Sequence, residues 1–302
     1  MMQSLGDKLV KVEKLAKRSK LRRLLHHPVK YVFAVGYRTI LYPLMKKGMS
    51  VKATTFFETK MHLLLPAATD IYLTGGKSDP SEIRLAKFMI QHVKEATCFF
   101  DVGAHFGYYS LLAAKLLGES GVVCSFEPST KNFDVLQQNA ADQKNIHLYN
   151  AAVSDTTDEL LFYEFPALYS EFNTAGIEQF EEAAWLTKYQ PEIKKVSSIV
   201  LDQLVEEKGY KPSMIKIDVE GGEYNVIKGL VNYLTANECV VIMEYLSEAR
   251  KNEAHKKAVA LLTEMGFSAF AITDEETVKK LDNVEAYIAS LQTQSENIVF
   301  KK

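Results

Sequence analysis

The chain has 302 residues and is nearly neutral, with 36 Lys and Arg against 38 Asp and Glu. That length suits one large α/β domain with an appendage, and a net charge of −2 excludes a role driven by bulk attraction to nucleic acid. No uncharged apolar run reaches the ~18 residues of a membrane span. The N-terminus also lacks the apolar core and small-residue cleavage site of a secretory signal, so a cytoplasmic protein is expected.

In chain order, the first feature is charge. Lys8, Lys11, Lys14, Lys17, Arg18, Lys20, Arg22 and Arg23 are interleaved with Leu9, Val12, Leu15, Leu21 and Leu24. This is the pattern of a basic amphipathic helix. Such a helix commonly packs its apolar stripe on its own domain and turns its lysines to water, the reading favoured here. Peripheral contact with an anionic membrane is the alternative. Residues 24–45 are apolar and aromatic but broken by Pro28, Lys30, Arg38 and Pro43, so residues 1–80 are expected to form a cap of helices and loops. Residues 75–80 read as a loop, with Asp79 or Ser81 able to cap a helix starting near Glu82. Lys77 and Ser78 follow two glycines, but the spacing GxxxxGK[ST] is absent and no phosphate loop is expected.

From residue 97 apolar strands alternate with helical patterns. Strands are expected at 98–102, 122–126, 146–153, 214–219 and 240–244, with helices at 109–117, 130–142 and 224–233 between them. A helix over 252–265 and two strands, 267–272 and 298–301, follow. This rhythm implies an α/β fold with a doubly wound, mostly parallel sheet covered on both faces and ending in an antiparallel pair. The main domain is thus expected over 81–302. Residues 155–201 break the rhythm and read as an inserted hairpin and loop. Its Tyr163, Phe165, Tyr169, Phe172 and Trp185 either pack the hairpin or stack on a ligand. Cys98, Cys124 and Cys239 fall in apolar runs with no CxxC spacing, as core thiols of a reducing compartment do.

The chemistry concentrates at strand ends. After Asp101 and Val102 the chain turns through Gly103, Ala104, His105 and Phe106 to Gly107, which opens the next helix. Gly103 permits a sharp turn and close approach of a cofactor to the backbone, and free N–H groups near Gly107 and Tyr108 can meet a polar ligand. Glu127 ends the following strand, at the ribose-acid spacing of nucleotide-binding units. Pro128 stops that strand, and Ser129 or Thr130 caps the next helix. Tyr109 occupies the place where a dinucleotide site needs a third small residue. Asp101 would repel a diphosphate but favour a sulfonium and an amino group. The cofactor that fits is S-adenosylmethionine.

A second acidic cluster, Asp218, Glu220 and Glu223, ends the strand at 214–219 and departs through Gly221 and Gly222. With Asp101, Glu127 and Glu244 it brings acids to one sheet edge, which is costly unless a cation or a proton sits among them. Helix capping and ion pairs to Lys216 or Lys228 account for Glu223 but not for the whole set.

DVGAHFGYYS, FEPS, VSSIVLDQL, MIKIDVEGGEYNVIKG and ENIVF together resemble the FkbM-type methyltransferases over roughly residues 70–300. The resemblance implies a class I Rossmann-like methyltransferase domain that moves a methyl group from S-adenosylmethionine to a hydroxyl of a sugar, polyketide or related natural product. By motif it places Asp101, Gly103, Gly107 and Glu127 at the cofactor, and Ala104, His105, Tyr108, Pro128, Ser129 and Asp218 are expected to line the same site. Asp218 and Glu220 then border the reacting centre, with His105, where the family usually has asparagine, as a further acid–base candidate. An acceptor hydroxyl needs a base, for which Asp218 or Glu220 is suited, or a metal that lowers its pKa. The scattered histidines leave only a hard, oxygen-bound ion such as Mg²⁺, held in part by Asp218. Two alternatives stand beside this reading. One is an N-methyltransferase on the same fold, against which the absence of an NPPY or DPPY turn speaks. The other is a non-catalytic cofactor-binding protein anchored by its basic N-terminal helix.

Overall fold

Alternation along the apolar runs decides the architecture. In the strand Cys98–Val102 (β1), Phe99 turns to one side and Phe100 to the other, and both are fully buried. A strand buried on both faces needs a helical layer on each. The computed structural model describes residues 2–302 apart from Ala96, Glu182 and Glu276. In it β1 joins Val122–Phe126 (β2), Ile146–Tyr149 (β3), Met214–Ile217 (β4), Val240–Leu246 (β5), Ser268–Ile272 (β6), Val278–Lys280 (β7) and Ser295–Lys301 (β8) in one sheet. The spatial order is β7-β6-β8-β5-β4-β1-β2-β3. Strands β1 to β5 pair in parallel, while β8 runs antiparallel to both β5 and β6, and β7 antiparallel to β6. This is the expected doubly wound sheet with its antiparallel C-terminal strand, extended by one short edge strand.

Helices Pro80–His92 and Tyr108–Leu117 cover one face, through Leu85, Met89, Leu111 and Leu112. Helices Leu201–Lys208, Glu223–Lys228, Glu253–Glu264 and Val284–Leu291 cover the other. The single helix expected over 224–233 is divided at Gly229, where an added Cβ would lie 2.2 Å from the Ser154 carbonyl oxygen. The strand expected over 146–153 is also divided. Its last part, Ala152–Val153, leaves the main sheet for a smaller one with Glu159–Glu164 and Glu192–Ile199, the antiparallel arms of the inserted hairpin.

The N-terminal helix Met2–Ala16 buries Leu5, Leu9 and Val12 against the body, in contact with helix Pro80–His92. Its apolar stripe is therefore internal, as the favoured reading has it, but the helix ends at Ala16, and Leu21, expected in the same stripe, is exposed on the next helix, Lys20–His26. The first 80 residues also contain a hairpin, Met49–Thr54 with Lys60–Leu65, where helices and loops were expected. Met61, Leu63 and Leu65 point inward at period two. Asn139 pins the strand by accepting from the His62 N–H and donating to its carbonyl.

Candidate active site

The chain runs outward from β1 to β3, then returns to β4 on the other side of β1. Open α/β sheets bind ligands at the carboxyl end of such a reversal. A cavity of about 590 Å³ lies there, within the size range of small-molecule sites. The sheet edge forms its floor, the Ala67–Ile71 and Lys77–Glu82 segments one wall, and the inserted loop around Ser170–Asn173 another.

The turn after β1 supplies part of the floor. Asp101 is fully buried; its Oδ2 accepts from the Ser110 hydroxyl at 2.6 Å, while Oδ1 lacks a hydrogen-bond partner and lies 3.9 Å from Lys216 Nζ. Gly103 lines the cavity with a φ of +82°, yet what crowds it is the Asp218 carbonyl, 1.8 Å from an added Cβ. Its glycine is thus set by the neighbouring loop. Ala104, His105 and Tyr108 also line the cavity. Gly107 does not: its N–H donates to the Ala104 carbonyl at 2.8 Å, and an added Cβ would meet Leu136 at 2.5 Å. The free N–H expected at this helix start is consumed locally. The Tyr109 ring has the ammonium groups of Lys77 and Lys216 each 5.3 Å from its centroid, and its hydroxyl is bonded to Glu82.

His105 bonds through Nε2 to the Ser170 hydroxyl at 3.0 Å and stacks on Phe106. Burial, aided by the Lys77 charge, pushes its imidazole down to about 3, so it stays neutral. Its backbone N–H donates to Glu127 Oε2 at 2.8 Å, and the Ser129 N–H donates to Oε1 at 3.0 Å. Two strand ends therefore converge on one carboxyl. Burial pushes Glu127 up to about 7 despite those donors. Pro128 borders the cavity, whereas Ser129 stays outside its lining and caps helix Thr130–Ala140 by accepting from the Asn132 N–H.

Beyond β4 the acids are interleaved with cations. Lys216, on a strand buried along its whole length, donates to Asp218 Oδ2 at 3.0 Å. Burial alone would raise Asp218, but Lys216 and Lys77 outweigh it and hold the carboxyl well below its ordinary value. Burial and the Asp218 charge lift Glu244 far above its own, so the proton of this pair sits on Glu244. Glu220 adopts a φ of +55° and accepts from Arg250 at 3.0 Å; burial, opposed by Arg250, still pushes it up to about 8. Both answers to crowded acids are present here, cations and protons. Carboxyl oxygens of Asp218, Glu220 and Glu244 lie within 4.8 Å of one another. However, Lys216 and Arg250 already engage Asp218 and Glu220, each at 3.0 Å, so the set does not offer the free, anionic oxygens that Mg²⁺ requires. Glu223 has the local role expected of it, accepting from the Gly221 N–H, and its Oε2 lies 3.2 Å from His255 Nε2. Lys228 pairs with Asp155 instead of the cluster.

Several lining residues carry no local signal. Lys77 is ion-paired with Glu82, and Glu171 lines the same cavity from the inserted loop. They meet the sheet edge only through folding. Of the five insertion aromatics, Phe172 alone borders the cavity. Tyr169 stacks on Trp185 at 4.2 Å between ring centroids, and Phe165 packs edge-on to the same indole.

A model of the methyltransferase FkbM domain matches residues 101–269. The chain is similar to the hexuronic acid methyltransferase AglP of Haloferax volcanii, 24% identical over 162 residues, which cover 52% of this chain and 59% of that protein. Its fold is similar to a methyltransferase FkbM from Methylobacillus flagellatus, at 13% identity and a TM-score of 0.41, over 78% of this chain and 52% of that one. It is likewise similar to an O-methyltransferase from Bacillus cereus in complex with SAH, at 13% identity and a TM-score of 0.42, over 74% and 81%. The matched region runs from the end of β1 into β6, through the whole acidic edge of the cavity, and the chain belongs to the FkbM methyltransferase family.

Proposed function

We propose that this protein is an S-adenosylmethionine-dependent O-methyltransferase acting on a hydroxyl of a sugar, glycan or related small molecule. The observation that carries the reading is the pairing, in one cavity, of a cofactor-type carboxyl with a proton-accepting one. Glu127 sits at the end of β2, and Glu220 lies beyond β4 with its proton affinity drawn to the neutral range. When bound, S-adenosylmethionine supplies a methyl group already activated by the positive sulfur. The residues present fit that group: Asp101, whose Oδ1 has no hydrogen-bond partner, lines the cavity together with Glu127, Asp218 and Glu220, a set suited to a cationic, amino-bearing ligand.

Glu127, oriented by two backbone N–H groups, holds the ribose hydroxyls. His105, neutral and tied to Ser170, positions that loop and transfers no proton. Asp218 stays ionised and orients the acceptor hydroxyl, and Glu220 takes its proton as the oxygen gains the methyl group. A base with a pKa near the working pH is the efficient one, which favours Glu220 over Asp218. The sugar acceptor class rests on the likeness to a hexuronic acid methyltransferase. The test is calorimetric titration with S-adenosylmethionine, followed by incubation of glycan libraries with methyl-labelled cofactor and mass spectrometry. Label on a sugar oxygen is expected; absence of binding at millimolar cofactor overturns the reading.

A further inference from the structure

Charge is divided unevenly along this chain. Between Glu13 and Glu58 it carries eleven Lys and Arg and no acidic residue, leaving 25 basic residues against all 38 acidic ones elsewhere. The same stretch concentrates exposed apolar side chains. Leu25 is 72% exposed, Val29 82% and Leu44 80%, joined by Leu21, Val32 and Ile40. Outside it, the large apolar side chains so exposed among the described residues are Leu161, Ile193 and Leu291. Exposed apolar side chains concentrated in one basic stretch mark an interaction site.

The local geometry explains why these residues face outward. Helix Lys20–His26 buries no residue. In the helical run from Pro28 to Met45 the buried residues are Ala34, Tyr37 and Tyr42. Those three keep to one face because the run contains a π-turn over Tyr37–Leu41, in which the Tyr42 N–H donates to the Tyr37 carbonyl five residues back. The extra residue returns Tyr42 to the inner face and leaves Ile40, Leu41 and Leu44 outside beside Arg38, Lys46 and Lys47.

We propose that residues 20–47 form a docking surface for an anionic lipid bilayer. Exposed leucine, valine and isoleucine among lysines and arginines is the composition of helices that lie at a membrane interface. Charge complementarity selects the partner: a symmetric pairing of two copies through this face would set these cations against the same cations, whereas acidic headgroups neutralise them. A fluid acyl boundary also accepts apolar side chains spread over successive helical segments. The membrane contact considered for the N-terminal helix thus moves, since the stripe of Met2–Ala16 is internal and the exposed one begins near Leu21. The surface adjoins the cavity wall. Tyr72 packs against Phe33 with the Lys30 ammonium 5.2 Å from its ring, while Asp70 and Ile71 of the same helix line the cavity. The Tyr42 hydroxyl accepts from the Leu168 N–H at 3.0 Å, next to cavity-lining Ser170 and Glu171.

Co-sedimentation of the full chain with phosphatidylcholine vesicles, with and without 30 mol% (roughly one lipid in three) phosphatidylglycerol, tests this. Binding at least about tenfold stronger to the anionic vesicles is expected, weakening with salt. Each basic residue at such a surface strengthens binding about fivefold, so K20E/R22E/R38E is expected to weaken it by more than about a hundredfold. L25E/V29E/L44E, at three solvent-facing positions, is expected to abolish it while leaving Tm and S-adenosylmethionine affinity unchanged. Binding no stronger than to neutral vesicles, or unchanged in both variants, overturns the proposal. So does light scattering that shows a dimer dissolved by the apolar variant, because a second copy then covers this face. Cofactor titration is independent of all these outcomes.

Discussion

Replacing Glu127 by glutamine tests the cofactor reading without knowledge of the acceptor. This carboxyl is buried, and its two oxygens face the His105 and Ser129 N–H groups at 2.8 and 3.0 Å. A glutamine keeps one acceptor oxygen and turns an NH₂ towards the other donor, a loss of about 1–3 kcal/mol in folding stability. Bonds from ribose hydroxyls to an ionised carboxylate are worth about 1.5–3 kcal/mol, so affinity for S-adenosylmethionine is expected to fall about 10- to 150-fold. The pH dependence is the sharper reading. Burial lifts Glu127 to about 7, and the ionised form is the one that accepts both hydroxyls. At pH 6 only about a tenth of it is ionised, so wild-type affinity is expected to rise roughly tenfold between pH 6 and 8, a slope the glutamine variant lacks. Isothermal titration at four pH values measures both. A folded variant that binds within about threefold of wild type, with the same pH slope, refutes the assignment of Glu127 to the ribose.

Glu220→Gln is expected to lower turnover about 10²- to 10⁴-fold and to flatten a rate profile that in the wild type rises as Glu220 loses its proton near pH 8; an unaltered profile excludes Glu220 as the base. His105→Asn keeps the backbone N–H that meets Glu127, so cofactor affinity is expected to stay within about threefold, and a loss above tenfold would show that the imidazole itself binds ligand. Gly229→Ala sets a methyl group 2.2 Å from the Ser154 carbonyl, an overpacking of about 1–3 kcal/mol that thermal denaturation detects as ~2–4 °C per kcal/mol. Glu127 and Glu220, both buried, hold their protons more tightly folded than unfolded, at about 7 and 8 against an ordinary 4.5. Their contribution to stability is therefore complete below pH 4.5 and lost as pH rises through 7 to 8. The ligand-free Tm should fall between pH 5.5 and 8.5, and a Tm that rises across this window contradicts their burial as acids.

Much of this molecule is legible in local pattern. Continuous apolar runs such as VVCSF and MIKI can be satisfied only between two helical layers, and with turns at Gly103 and Gly221 they dictate a doubly wound sheet. Carboxyls at strand ends then share one edge, because parallel strands present their carboxyl ends together. Hence Asp101, Glu127, Asp218 and Glu220 are foreseeable as neighbours although they span 120 positions. The hairpin at 49–65 is not legible in this way, because Leu64 hides the alternation of Met61, Leu63 and Leu65, and short apolar runs between charged residues suit a helix almost as well.

Other features depend on contacts far apart in the chain, which no window of sequence contains. Lys77 joins the site because the loop before helix Pro80–His92 packs over the sheet edge, and its charge then helps keep His105 neutral and Asp218 ionised. Gly107 and Ser129 have the residue types of ligand contacts, yet neighbouring backbone and Leu136 claim them first. The basic N-terminus illustrates the division best. Its charge and apolar spacing are in the sequence, but which leucines face inward depends on what they pack against. The body has a matching apolar surface for Leu5, Leu9 and Val12, and it leaves Leu25, Val29 and Leu44 in solvent. Burial is a property of two surfaces, and one helix specifies only its own.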